Sequence, residues 1–190
     1  MFILKKKYFL IIESIKDINL ENIKKHNKFI IIYRNNKNFE KNDALFKFRK
    51  RCKLKSIDFY VANNLKLAIS LRSDGVYLSS HNKSFKALTL VRSNFKIIGS
   101  AHTQMEIVTK IKQGCKLILL SKLFLVNYDP KANFLGVIKF NNFLKFNKNL
   151  IPLGGINFTN LNCLNIVFSK GLALMSEVKK KPANIINRLF

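Results

Sequence analysis

The chain has 190 residues, 48% of them hydrophobic, with 17 Phe and only 3 Pro; this is ample apolar material for a core and excludes an intrinsically disordered chain. Lys and Arg number 35 against 10 Asp and Glu, a formal charge of +25, yet the lysines are scattered through every segment alongside abundant Asn, Ile and Phe. That scatter reads as compositional drift and solvated faces rather than a nucleic-acid groove, although the excess favours anionic ligands.

No run approaches the ~18 apolar residues of a membrane span. The apolar run after Lys5-Lys6-Lys7 stops at Glu13, too short for a signal peptide. Cys52, Cys115 and Cys163 lie far apart without redox or metal-ligand spacing and read as small core filler in a reducing compartment. The expectation is a soluble, cytoplasmic protein with no membrane partner.

In chain order, residues 8–12 and 29–33 are continuous apolar runs, the pattern of strands buried on both faces, with a short helix over 20–25 between them. Asn42 or Asp43 caps a helix reaching Cys52. Residues 59–61 form a third strand, 65–71 a small helix, 74–78 a fourth strand ending in Ser79-Ser80-His81-Asn82, and 85–91 the next helix. A fifth strand covers 96–100. Thr103-Gln104-Met105-Glu106 is a capping box opening a helix with Met105, Val108 and Ile111 on one stripe, closed by Gly114. Residues 117–120 are a sixth strand, 121–133 an irregular connection of functional length, and 137–146 a helix. Two apolar runs, from Ile151 and from Gly171, read as strands seven and eight around a helix over 159–169 marked by Leu161, Leu164 and Phe168. Pro182 starts a last helix reaching Leu189.

Strands and helices alternate about eight times without hairpins, which predicts an α/β protein with a parallel sheet, folded over residues 1–190 as one compact (β/α)8 TIM barrel. The length falls below the ~250 residues of a typical barrel, so a doubly wound open sheet is the alternative. In a barrel, residues just past each strand gather on one face. Arg34, Asn63, Asn82, Ser100, His102, Ser121, Gly154, Gly155, Met175 and Ser176 occupy such positions. The Gly154-Gly155 turn fits either a tight turn or a main-chain anion cradle. His102, ahead of a capped helix, is the candidate for proton transfer. His26 and His81 read as solvated loop residues.

The runs Ser73-Asp74-Gly75-Val76-Tyr77-Leu78, Ile98-Gly99-Ser100-Ala101-His102-Thr103, Leu153-Gly154-Gly155-Ile156 and Gly171-Leu172-Ala173-Leu174-Met175-Ser176 together resemble the thiamine phosphate synthase/TenI family over nearly the whole chain. The resemblance implies a (β/α)8 barrel of thiamine biosynthesis. Its synthases join hydroxymethylpyrimidine diphosphate to a thiazole phosphate with Mg2+, and its TenI branch isomerises the double bond of a thiazole carboxylate phosphate. It also implies that Gly154, Gly155 and the main chain at Met175 and Ser176 grip a phosphate, with Arg34 and Ser100 at further ligand positions and His102 at the TenI proton-transfer position.

The diphosphate half departs from the family pattern. Gln-x-Arg-x-Lys is replaced by Ile32-Tyr33-Arg34-Asn35-Asn36, with Lys37 one place late; the Mg2+ aspartates fall on Asn63 and Asn82, a degenerate and weakened metal site; and the threonines after strand six are missing from Leu125-Val126-Asn127-Tyr128, near Lys131. Three readings follow, with no certain cofactor: a thiazole tautomerase, slightly favoured; a thiamine phosphate synthase; and a barrel that binds the ligand without turnover. The partner is a small-molecule thiazole phosphate, and self-association into a homo-oligomer stays open.

Overall fold

The computed structural model describes residues 6–23, 27–35, 40–90, 95–126, 131 and 133–180. Its strands are β1 (Lys7–Ile12), β2 (Phe29–Tyr33), β3 (Asp58–Ala62), β4 (Gly75–Leu78), β5 (Lys96–Ala101), β6 (Leu117–Ser121), β7 (Leu150–Leu153) and β8 (Gly171–Leu174). All ladders are parallel, the order around the sheet follows the chain from β1 to β7, and β8 pairs with the other edge of β1. β7 and β8 lie side by side without a hydrogen-bonded ladder, so the ring is a nearly closed barrel. A sequential order excludes the doubly wound alternative, whose strand order reverses at a switch point.

The strands read as unbroken apolar runs because both of their faces are covered. Alternate residues point inward: Phe9, Ile11, Ile30, Ile32, Tyr60, Tyr77, Ile98, Leu119, Ile151 and Ala173 fill the barrel. Their neighbours Tyr8, Leu10, Ile31, Tyr33, Phe59 and Val61 point outward into a second, larger core under the helices. There Tyr33 stacks on Phe59, and the ring of Phe48 meets Phe59 edge-on.

The short chain closes a barrel by trimming its helical layer. Full helices are α1 (Asn42–Leu54), α2 (Leu65–Ser70), α3 (Gln104–Lys112), α4 (Gly136–Phe146) and α5 (Ser176–Lys180). Elsewhere 3-10 turns do the covering, at Ile15–Asp17, Leu20–Asn22, Leu88–Leu90 and Phe158–Ile166. The last of these replaces the helix expected over 159–169: Leu161 and Leu164 are buried, but Phe168 stands in solvent, because a 3-10 turn repeats every three residues and the element ends at Ile166. The helix expected over 85–91 is likewise reduced to Leu88–Leu90, and that over 20–25 to Leu20–Asn22. Lys41, not Asn42 or Asp43, takes the N-cap position of α1, without a side-chain cap. Residues 24–26, 36–39, 91–94, 127–130, 132 and the expected helix after Pro182 lie outside the described residues.

Helix α3 carries the expected capping box between Thr103 and Glu106, and Gly114 follows it at φ +76°. Its buried side chains are instead Ile107 and Lys110. Met105, Val108 and Ile111 are exposed, and the last two border a groove with Phe143 and Phe146 of α4. Apolar spacing misassigned this face because a lysine occupies the inward position. Of the cysteines, Cys52 is buried and its thiol is pushed up to about 12 by burial, Cys115 is half-buried, and Cys163 is exposed rather than core filler.

Asp74, in the turn before β4, anchors this side of the barrel. Its carboxylate accepts from Arg49 Nη2 at 2.9 Å and from the Phe59 N–H at 2.7 Å, and Arg49 is itself 7% exposed. Asp74→Ala leaves a buried guanidinium without its counter-charge; the expected loss is about 3–5 kcal/mol, read from the urea unfolding midpoint, and a loss near zero would show that water replaces the pair.

Candidate active site

The inward rows of the barrel continue past the strand ends. Two residues beyond Ile32 comes Arg34, beyond Ile98 Ser100 and then His102, beyond Leu119 Ser121, and beyond Ala173 Met175, so one parity carries five residues of the rim toward the axis. The Arg34 N–H still donates to Ile12 O at 2.8 Å, which extends the β2 register to that residue. Tyr77, fully buried in the barrel, carries its hydroxyl close enough to Ser100 and Arg34 for both to favour its ionised form. Burial raises its pKa, and Ser100 and Arg34 oppose that rise. Arg34, Tyr77 and Ser100 are therefore one cluster.

His102 adjoins this cluster just past the end of β5, and its partner Ser121 closes the next strand, β6. Ser121 Oγ lies 3.0 Å from its Nδ1. The backbone around it is held by the capping box: Glu106 Oε2 accepts from the His102 N–H at 2.6 Å, while the Glu106 N–H donates to Thr103 Oγ1 at 3.2 Å. One ring nitrogen is thus engaged by a buried hydroxyl and the backbone is pinned, while the residue stays exposed at the rim. An imidazole fixed in this way can exchange a proton at its remaining nitrogen.

Asn63 and Asn82 also meet, but not as metal ligands. Asn63, held at φ +56°, accepts on Oδ1 from Asn82 Nδ2 at 3.1 Å and from the Ser79 N–H at 3.0 Å, and its own Nδ2 donates to Ser79 Oγ at 3.1 Å. Asn82 Oδ1 accepts from the Ser84 N–H at 2.9 Å. Both carbonyl oxygens are turned to N–H donors and neither carries charge, so the pair does not fit Mg2+, which requires oxygen ligands free to face it and usually carboxylates. No cluster of three His, Cys, Asp or Glu occurs among the described residues. His81 is exposed, as expected, while His26 lies outside the described residues.

Gly154 and Gly155 have φ of +91° and +69°. A side chain on Gly155 would overlap the carbonyl oxygens of Phe124 and Leu125, and one on Gly154 would come within 3.2 Å of Lys122 Cα. Close passage of the chain after β6 is therefore the immediate reason for both glycines. Gly154 O accepts from the Phe124 N–H and Gly155 O from Asn160 Nδ2, leaving the N–H groups as the polar atoms a ligand can use. Across the β7–β8 contact, Met175 is half-buried against the barrel interior and Ser176 is exposed at the start of α5. Lys131 is exposed, and Asn36, Lys37, Asn127 and Tyr128 lie outside the described residues.

Sequence reasoning did not single out Tyr77 or Lys110. Strand parity points to Tyr77, two residues before Ser79 on the inward row. Nothing in a linear pattern separates a buried lysine from the many solvated ones.

A (β/α)8 barrel whose polar side chains collect at the C-terminal rim of the strands is the class of protein defined by this fold and site. The chain belongs to the TMP-TENI family, whose model, described as thiamine monophosphate synthase, matches residues 12–178. A thiamine-phosphate synthase of Prochlorococcus marinus subsp. pastoris is 31% identical over 145 residues, covering 72% of this chain and 41% of that protein. A second, from another Prochlorococcus marinus strain, is 27% identical over 129 residues, covering 67% of this chain and 37% of that one. The matched part of the chain thus spans well under half the length of these curated relatives. Among solved structures, thiamine phosphate pyrophosphorylase from Pyrococcus furiosus superposes with a TM-score of 0.69 at 16% identity over 98% of both chains. TrpF from Jonesia denitrificans gives 0.61 at 12% identity, covering 96% of this chain and 94% of that one. At such identities these structures share the fold.

The crowding at the β7 turn gives a direct check. Gly155→Ala combines a positive φ with overlap against two main-chain oxygens and is expected to cost about 2 kcal/mol or more, measured as a fall in thermal midpoint. Unchanged stability would mean that the chain after β6 moves freely away from Gly155.

Proposed function

We propose that the chain binds a thiazole phosphate at the C-terminal rim of its barrel and shifts a proton on it without a metal ion, as the TenI branch of the family does. The observation that carries this reading is the His102–Ser121 contact at the rim, next to an amide pair where a Mg2+-dependent coupling would want carboxylates. In this reading the phosphate lies against the N–H groups of Gly154, Gly155, Met175 and Ser176, with Arg34 and Ser100 facing the rest of the ligand. The +25 charge of the chain draws the anion in.

The chemistry fits the residues. Moving a double bond within the thiazole needs a proton removed from one carbon and returned to another, with no net redox change. His102 takes the proton on Nε2 and gives it back from the same atom, ending as it began. Ser121, at Nδ1, holds the ring through both half-steps.

A second reading is favoured by the curated relatives, both thiamine-phosphate synthases. It assigns the chain to coupling of hydroxymethylpyrimidine diphosphate with thiazole phosphate in thiamine biosynthesis. Calorimetric titration of thiazole phosphate with and without Mg2+, followed by assays of both reactions, separates the two. Metal-independent binding, isomerisation and no coupling product are expected. His102→Ala should lower isomerisation by about 100-fold or more while leaving binding within about threefold. Normal turnover by this variant would make His102 structural, and Mg2+-dependent coupling by the wild type would replace this reading with the synthase.

A further inference from the structure

Lys110 is the most deeply buried charged residue among those described, at 0% exposure. Its stem runs from α3 across the outer face of β5 at Gly99, where a methyl group would meet Lys110 Cδ at 2.9 Å and Cys115 Sγ at 2.8 Å. The missing side chain of Gly99 is the passage for the lysine. At the far end, Nζ donates to Ser79 O at 2.7 Å, Asn82 O at 2.7 Å and Gln113 Oε1 at 2.9 Å. Gln113, also 0% exposed, donates through Nε2 to Asn82 O at 3.0 Å and Ser84 O at 2.8 Å.

Three acceptors around one nitrogen match the three N–H donors of an ammonium; a neutral amine has two, and its lone pair would face a third oxygen. The group is therefore charged, although burial acts to lower its pKa. No carboxylate lies within ion-pair distance of it among the described residues. Main-chain and amide oxygens are its hydrogen-bond partners, with Cys115 and the Glu106 carboxylate favouring the charged form from a longer range. Such an arrangement is costly unless it orders something, and here it gathers the carbonyls of one loop, 79–84. That loop carries Asn82, whose side chain closes onto Asn63 at the rim.

We propose that Lys110 is a built-in cation that orders the 79–84 loop and the Asn63–Asn82 amide pair, so that this sector of the rim receives an anionic or neutral ligand group without a divalent metal. An ammonium bonded to the backbone of the loop that bears Asn82 repels a second cation there and favours a phosphoryl group nearby. Lys110 is in this sense a positioning residue, acting through the loop. The ligand half of the inference rests on the reading of the rim as a thiazole phosphate site; the loop half does not.

The test has separate readouts for each half. In the wild type at neutral pH, a 1H–15N spectrum selective for lysine side chains is expected to show one slowly exchanging ammonium, absent from Lys110→Met. In that variant, amides of 79–84 should exchange at least about tenfold faster while those of β1 and β2 keep their protection. Lys110→Gln, which keeps a hydrogen-bond donor but not the charge, should likewise lose the ammonium signal and loosen 79–84; it is read in the same way if Lys110→Met does not fold. Loop exchange unchanged in the folded variants, or no protected ammonium in the wild type, overturns the proposal. Thiazole phosphate affinity should be the same in EDTA and in excess Mg2+ and about tenfold weaker in Lys110→Met; affinity tightened by Mg2+ overturns the metal-free assignment. A wild type that binds no thiazole phosphate removes the function proposed above, while the exchange data still decide whether Lys110 orders the loop.

Discussion

The pairing of β1 with both β2 and β8 is the constraint on which everything else rests. Lys7 sits opposite Gly171 in the β8 ladder, and Tyr8 opposite Phe29 in the β2 ladder, so the first strand is hydrogen-bonded on both edges. Gly171 permits the closure: a side chain there would come within 2.6 Å of Lys7 O. Once the ring turns back on itself, all eight strands end on one rim. Residues as distant in sequence as Arg34 and Met175 then share a mouth, and a parallel ladder fixes which alternate side chains face it.

A barrel of this size is achieved by economy in the outer layer. The inner layer is complete, with large side chains such as Tyr60, Tyr77 and Phe9 meeting near the axis, and it cannot be shortened without opening the ring. The helical layer can be, and several of its members are single or extended 3-10 turns. Capping offsets what these short elements lack in length: Ser14 with Asp17, and Asn157 with Asn160, form reciprocal caps around turns too short to stabilise themselves.

The rim divides into two kinds of surface. On the β7–β8 side, glycines exist because two segments of main chain pass closely, and the same bareness leaves peptide N–H groups available. On the β3–β4 side, neutral amides and a buried ammonium hold a loop by hydrogen bonds alone. Between them lie His102, just past β5, and Ser121, at the end of β6, both positioned by the ordinary ladder. A site of this composition gathers positive charge and donors around an imidazole, with the Glu106 carboxylate turned to the backbone of His102 and Thr103.

Much of the architecture was legible before any coordinates. Short, largely apolar runs marked all eight strands to within a residue or two at the start, because strands covered on both faces leave little polar alternation to misread. The capping box at Thr103 and the glycine at 114 placed α3. The helical layer was less legible, since 3-10 turns and short helices carry similar local patterns, and at Phe168 and Met105 the apolar spacing pointed to a core that is not there.

The list of rim residues followed from alternation and order in the chain alone, because position past a strand end is a local property. What each of them touches did not. Whether Asn63 and Asn82 face a cation or each other, whether Gly155 meets a ligand or the Phe124 carbonyl, and whether one lysine among 35 basic residues is solvated or buried depends on contacts between segments tens of residues apart. Sequence determines the periodic backbone because its hydrogen bonds and side-chain alternation repeat locally; the partners of individual polar groups are decided only when the ring closes and brings distant loops within hydrogen-bonding range.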